Sequence, residues 1–264
     1  MYDFSYHRPK SLAEASKALS SASDGKLLAG GHTLIPTLKQ RLAQPSDLVD
    51  ISALAELKGI REDGGAIVIG SMTPHAQVAE SELVKKAIPA LAALADGIGD
   101  AQVRNRGTIG GSIANSDPAA DYPAACLGLG ATIVTDKRKI PADQFFKGMF
   151  ETALQPGEII TAVSFPKPEK AGYAKFPNPA SRYAVVGVMA AKTKDGVRVA
   201  VTGAGPVVFR DKAIEQALSA SFSPDAVKGS SANAGDLNSD IHASAEYRHH
   251  LIGVMAKRAV AAAR

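Results

Sequence analysis

Two glycine-rich stretches, Ala29-Gly30-Gly31-His32-Thr33 and Thr108-Ile109-Gly110-Gly111-Ser112, each stand where an apolar run ends, and they constrain this chain more than any other feature. A glycine pair has no Cβ and tolerates positive φ, so successive backbone N–H groups can turn toward one point and approach an anion closely. A single Gly-Gly after a strand is an ordinary turn. Two of them suggest two phosphates of one ligand. Hydrogen bonds to a charged group contribute about 1.5–3 kcal/mol each, which for one loop is largely offset by the cost of immobilising the ligand. A shared pyrophosphate uses both loops.

The surroundings of the loops sharpen this reading. Lys26-Leu27-Leu28 leads into the first, and Leu34-Ile35 follows it before Pro36 at a candidate first helical position. The second runs on into Ile113-Ala114-Asn115-Ser116-Asp117-Pro118-Ala119-Ala120-Asp121-Tyr122-Pro123, which is far less generic.

Arg104-Asn105-Arg106-Gly107-Thr108-Ile109-Gly110-Gly111-Ser112 and its Asn/Asp-rich continuation resemble the signature of the FAD-binding medium subunits of the molybdenum hydroxylases, the group that contains carbon monoxide dehydrogenase and bacterial xanthine dehydrogenases. The resemblance extends through Gln155-Pro156-Gly157-Glu158-Ile159-Ile160, Ser181-Arg182-Tyr183-Ala184-Val185-Val186-Gly187 and residues 239–248, and so covers nearly the whole chain. It implies a PCMH-like two-lobed FAD-binding fold, α/β in character, followed by a C-terminal α+β domain. It also implies a cofactor site of Ala29, Gly30, Gly31, His32, Thr33, Leu34, Thr108, Ile109, Gly110, Gly111, Ser112, Asp121, Ile160 and Tyr183, with no catalytic acid or base and no metal ligand.

For several of these residues the chemistry leaves two readings. The backbone of His32 is as suited as its ring to meet a cofactor. Asp121 can accept from ribityl or ribose hydroxyls or can simply form a turn before Pro123. Ile160 packs on a flavin nucleotide or is a buried strand residue, and Ile98 matches another apolar contact position. Tyr183 lies in a segment where relatives bring side chains near the isoalloxazine. Arg104 and Arg106 could complement phosphate, or pair with Asp96, Asp100 or Asp117 to shape the loop.

At 264 residues with 45% hydrophobic content, the chain can bury substantial cores. The net charge of +4 comes from scattered residues with no long basic run, which disfavours nucleic acid. The densest basic stretch, Lys137-Arg138-Lys139, reads as a solvated turn between strands. The single cysteine, Cys126, permits no internal disulfide and cannot hold an iron–sulfur cluster; in its apolar stretch it reads as a buried small hydrophobe. No stretch approaches a membrane span and the start has no apolar signal core, so a cytoplasmic protein is expected.

Along the chain, Ser11 and Glu14 form a candidate capping box before a helix with Leu12, Ala15, Ala18 and Leu19 at helical spacing. Strands are expected at 26–29, 47–51, 66–70, 131–134 and 159–165, and helices at 36–42, from Thr73 and Pro74 through Val78, and at 88–98. The 104–121 stretch is expected as a loop region. Pro166-Lys167-Pro168-Glu169-Lys170 reads as a polar linker. Beyond it, strands at 183–192, 196–202 and 207–209 precede helices around 211–220 and 243–263. The expected domains are 1–57, 58–168 and 169–264.

Competing motifs are weak. Gly203-Ala204-Gly205-Pro206 lacks the third glycine of a dinucleotide fingerprint, and Pro206 removes an amide. His249 and His250 point about 100° apart on a helix, so with His242 they make a poor metal cluster.

The resemblance implies a heterohexamer, a dimer of heterotrimers. In it a large subunit carries molybdopterin, a small subunit carries two-iron two-sulfur clusters, and FAD on this chain passes electrons to NAD, a quinone or oxygen. The alternatives are a stand-alone FAD-dependent oxidoreductase of the same fold superfamily and a non-catalytic scaffold subunit.

Overall fold

The computed structural model describes residues 1–264 as three main sheets that follow one another along the chain, with a two-stranded ribbon beside the second. The first is built from β1 (Ser5–His7), α1 (Leu12–Ser21), β2 (Gly25–Leu28), α2 (Leu34–Lys39) and β3 (Asp47–Asp50). Its strands are parallel, with β3 between β1 and β2. Helix α1 starts as the capping pattern requires, with Ser11 Oγ accepting from Glu14 N; the Glu14 carboxylate reaches one residue further back, to Lys10 N.

The second sheet opens with the hairpin of β4 (Ile60–Asp63) and β5 (Ala66–Gly70). Gly64 and Gly65 both take positive φ, 57° and 79°, as a two-residue turn matched to strand twist needs. Six short helices follow: α3 (His75–Glu80), α4 (Glu82–Ala87), α5 (Pro89–Asp96), α6 (Ala101–Arg106), α7 (Ile109–Asn115) and α8 (Tyr122–Gly128). The chain then adds β6 (Thr132–Thr135), β7 (Lys139–Pro141), α9 (Ala142–Phe145), the small ribbon of β8 (Phe146–Gly148) and β9 (Glu151–Thr152), and β10 (Ile160–Pro166). The order β4-β5-β10-β6-β7 is antiparallel throughout, with β10 at its centre.

The third sheet is an antiparallel meander of β11 (Lys170–Pro177), β12 (Ala184–Thr193), β13 (Gly196–Thr202) and β14 (Phe209–Arg210), followed by α10 (Lys212–Ala220) and α11 (Ala245–Ala261). The nearly unbroken apolar run of β12 is buried on both faces. Val186, Val188 and Ala190 face the core under α11, while Met189 and Ala191 join the core of the second sheet. Helix α8 fills the space between the two sheets, and Gly128 comes so close to Met189 that a Cβ there would meet its side chain at 2.6 Å. No helix is long and apolar enough to cross a membrane.

The structure departs from the sequence expectations in identifiable places. The 104–121 stretch carries α7 and the end of α6 in place of a continuous loop. Pro36 is the third residue of α2, a position whose N–H is still an orphan, so the ring costs no hydrogen bond. Strand β11 lies between the 166–170 linker and the strand expected from Tyr183, in a stretch for which no element was expected, because its lysines, glycine and proline mask a strand that pairs along its whole length with β12. The 207–209 strand shrinks to Phe209–Arg210. Arg138 is not merely a solvated turn residue, since it makes a bidentate pair with buried Glu158, 2.9 Å on each side.

Helix α11 rests on β11 through Gly172, where a Cβ would stand 1.9 Å from Ala259 O and 2.9 Å from Ala263 N. Both neighbours are backbone and cannot rotate away. Gly172→Ala should lower unfolding free energy by about 3 kcal/mol, at the upper end of overpacking costs, read as a lower urea midpoint at unchanged slope.

Candidate functional site

Both glycine stretches open on one cavity of ≈750 Å³, at the upper end of the range for ligand sites. Their approach is set by backbone lying on backbone. A Cβ on Gly30 would stand 2.1 Å from Arg106 O and 2.9 Å from Gly107 Cα, so the first loop seats directly on the end of α6. Gly107 in turn lies against the His75 ring, 2.6 Å from Nε2 to its would-be Cβ, and Gly110 lies on Ser71 at 2.5 Å. The Cβ of Ala29 is 3.7 Å from the Cβ position of Gly111, so the two loops face each other.

The loops differ in what they offer a ligand. In the first, Gly31 takes φ 76°, and the N–H groups of residues 30–34 donate to no acceptor in the chain. Five adjacent unpaired donors at a cavity wall suit an anion. In the second, Ile109 N donates to Thr73 O, Gly110 N to Ser71 O, Gly111 N to Thr108 Oγ1 and Ser112 N to Thr108 O. The second glycine pair therefore serves close packing more than donation. This differs from the expectation of two equivalent cradles.

Of the cofactor-site residues implied by the resemblance, all line this cavity except Ile109, which is fully buried in the second core; Arg104 and Arg106, the candidate phosphate partners, do not line it. Ala29, Gly30, Gly31, His32, Thr33 and Leu34 form one wall, and Thr108, Gly110, Gly111 and Ser112 the facing one. Ile160 and Ile98 also line it, as does Tyr183 on the 178–183 loop of the third sheet. The His32 ring reaches Gln102 O at 3.2 Å, which leaves its backbone toward the cavity wall. Arg104 shapes the turn before α6, donating to Ile98 O and Gly99 O with Asp96 3.7 Å away. Asp100 caps α6 through Val103 N.

Asp121 reaches the cavity with its carboxylate already engaged. Tyr173 donates to Oδ1, and Lys175 Nζ lies 3.0–3.1 Å from both oxygens. Burial holds this carboxyl above the usual aspartate range even with the ammonium beside it. Burial also raises the Tyr183 phenol, with smaller contributions from Asp117 and Asp121, which keeps it neutral at physiological pH. Glu158 is the opposite case. The Arg138 guanidinium bonded to it, with Gln155 N and Thr135 Oγ1, lowers it to about 2. This clamp fixes the Pro156-Gly157 turn, in which Gly157 takes φ 70°, just ahead of Ile160.

Sequence reasoning missed Ser71 and His75, which form the floor beneath the second loop, and Arg182 beside Tyr183. A signal was available for the first two: Ser71-Met72-Thr73-Pro74-His75 follows directly on the apolar run of β5, and polar residues at strand ends commonly border sites. Ser71 Oγ, His75 Nδ1 and, next to the His75 ring, Tyr122 OH are all buried without a hydrogen-bond partner. Burial, with His32 and Arg104 nearby, lowers His75 to about 4, so the imidazole is neutral at pH 7. No group of three or more His, Cys, Asp or Glu side chains could hold a metal, and burial raises the Cys126 thiol, leaving it unreactive.

Residues 2–168 match a family model described as the FAD binding domain in molybdopterin dehydrogenase, and residues 171–263 match one described as the CO dehydrogenase flavoprotein C-terminal domain. The chain is 37% identical to the carbon monoxide dehydrogenase medium chain of Hydrogenophaga pseudoflava, over 98% of this chain and 96% of that one. It is 37% identical to the nicotine 6-hydroxylase medium subunit of Paenarthrobacter nicotinovorans, over 97% and 95%. Among solved structures, a chain of reconstituted CO dehydrogenase from Oligotropha carboxidovorans is similar with a TM-score of 0.90 at 32% identity, covering 98% of this chain and 97% of that one.

The unequal loops lead to unequal variants. Gly31→Val places a branched side chain at φ 76° beside the open donors, and should lose FAD while the apoprotein still unfolds cooperatively. Gly110→Val must displace Ser71, and should cost about 2 kcal/mol of apoprotein stability. Flavin-to-protein absorbance after gel filtration and urea midpoints separate the two, and the reverse pattern would refute this division of labour. His75 carries a pH dependence: it protonates near 6.5 in the unfolded chain and about 4 in the folded one. Stability should therefore fall as pH drops through that window, by up to about 3 kcal/mol. In His75→Gln the urea midpoint should fall less between pH 7 and 4.5.

Proposed function

This chain belongs to the FAD-binding medium subunits of the carbon monoxide dehydrogenase and xanthine dehydrogenase family, and from that premise we propose that it is the electron-transfer subunit of a molybdenum hydroxylase complex. It takes electrons from iron–sulfur clusters of a small partner subunit, which receives them from a large molybdopterin subunit, and passes them from FAD to a small-molecule acceptor. The assembly is read as a cytoplasmic dimer of heterotrimers.

The observation that supports this most is the character of the cavity. It has open backbone donors at one wall and the aromatic Tyr183 among its lining residues. Such a lining suits a cofactor with an anionic and an aromatic part. The donor set fits a dinucleotide: the unpaired amides of residues 30–34 would hold the pyrophosphate, with Ser112 and Thr108 on the facing wall. Ile160 and Ile98 would supply apolar contact, and Asp121, with lone pairs left after Tyr173 and Lys175, could accept from a hydroxyl. Tyr183 would stand at the flavin end. Bound FAD supplies the chemistry of taking electrons singly and releasing them in pairs. The protein's part is to fix the nucleotide, keep His75 and Tyr183 uncharged, and leave one edge open.

Substrate choice belongs elsewhere. Relatives matching nearly the whole chain are named for carbon monoxide, nicotine, glyceraldehyde and caffeine chemistry, so subunits of this kind belong to complexes with unrelated substrates. With one cysteine it cannot carry the clusters itself.

Heat release from protein purified in its complex should yield FAD and not FMN on chromatography. The isolated chain loaded with FAD and reduced by dithionite should be reoxidised by an artificial acceptor, while aldehydes, purines and N-heterocycles leave its flavin oxidised until the partner subunits are added. Substrate bleaching of the isolated chain at catalytic rates would replace this reading with a stand-alone flavoenzyme.

A further inference from the structure

One ammonium group ties the third sheet to the cavity on three sides. Lys175 Nζ, on β11, donates to Gly97 O just past α5 at 2.8 Å and to Arg182 O in the 178–183 loop at 2.9 Å, and it also engages the Asp121 carboxylate. An ammonium has three donors, so this side chain, only 10% exposed, has every donor committed. Its acceptors come from three separate segments.

The loop it holds is braced internally. Asn178 N donates to Tyr183 O and Arg182 N to Asn178 O, while Asn178 Oδ1 accepts from Ala180 N and Ser181 N. A loop closed in this way moves as one piece, so its outside attachments decide where Tyr183 stands. Two of these attachments meet at Arg182: its carbonyl receives Lys175, and its Nη1 donates to Gly99 O at 3.0 Å. Arg182 also holds φ 62°, a left-handed conformation that an arginine keeps only when its surroundings enforce it.

Resting on the reading of the cavity as an FAD site, we propose that Lys175 is the positioning residue for the flavin end. By bridging Gly97, Asp121 and Arg182 it seats the 178–183 loop so that Tyr183 forms the wall against which the ring system lies. Lys175 is not among the residues that line the cavity; it acts through Tyr183. An ion pair serving stability alone would need Asp121 and neither carbonyl.

The test uses the full chain loaded with FAD and reads the flavin emission lifetime, because an aromatic ring in contact with a flavin quenches its emission. Tyr183→Leu sets the unquenched limit. Lys175→Met should keep its flavin and its cooperative unfolding, yet move most of the emission to that limit, a severalfold loss of the quenched component. Arg198→Met is the control. Arg198 also bridges the third sheet to the second body, through Leu127 O and Asp143, away from the loop; its loss should lower stability and leave the lifetimes as in wild type.

A wild-type lifetime in Lys175→Met would overturn the proposal, as would an equal shift in Arg198→Met or a Tyr183→Leu variant that matches wild type. If Lys175→Met does not accumulate as folded protein, Lys175→Arg is read by the same criterion. It keeps a charge beside Asp121, but a planar guanidinium cannot put one nitrogen on three acceptors. A wild-type chain that takes up no flavin would overturn the FAD reading as well, and the missing flavin absorbance tells that outcome apart.

Discussion

Backbone lies directly on backbone where the first glycine loop meets the end of α6, and the geometry of the cavity depends on that contact. Any side chain at Gly30 would occupy the place of the Arg106 carbonyl, and one at Gly110 would occupy the place of Ser71. Two walls contributed by different sheets are thus held at a separation that only residues without a Cβ permit. His75 completes the stack, with Gly107 on one side and the Tyr122 ring centroid 5.3 Å away. The imidazole is neutral because the stack excludes water from it. Burial and charge state at this point share one steric cause.

The third sheet is held to this assembly by both apolar and polar means. Its strands share a continuous core with α8 and the second sheet, which supplies most of the attraction. Polar bridges then fix position. Thr202 Oγ1 holds Pro118 O and Ala120 O, Gly203 N holds Pro118 O, and Ala184 N holds Ala119 O. Behind them, buried Arg248 donates to Val185 O and Gly203 O. A buried ion pair such as Lys175–Asp121 adds little net stability, since desolvation offsets the attraction; the three-way geometry adds a defined place for the loop.

How much of this could be read from the sequence depended on the distance over which each interaction acts. The glycine loops, the Ser11 cap and the strand at 183–192 are local properties of composition and spacing, and each has its structural counterpart. Strand β11 was hidden because Lys170, Gly172, Lys175 and Pro177 interrupt its apolar alternation, and the strand is decided by pairing with β12 instead. Helices α6 and α7 are short and capped by single side chains, Asp100 and Thr108, so they leave almost no periodic signal. The Lys175–Asp121 contact joins residues 54 apart, and no local pattern announces it. The same is true of the Ser71 and His75 floor, whose importance comes from what the second loop rests on.

The first sheet is the least independent part of the molecule. Its core is a small cluster around Ala15, Val49 and Ile51, completed by Met72 and Ile159 from the second body, whereas the second core runs through most of α5, α8 and β10. Local opening costs least where the fewest apolar groups are buried, so the three parallel strands can detach while the rest of the fold persists. The open amides of residues 30–34 leave with them. On the proposed reading of the cavity, a nucleotide held between two bodies of unequal stability would leave by way of the weaker one, which would tie its residence time to the breathing of this small sheet and not to global unfolding.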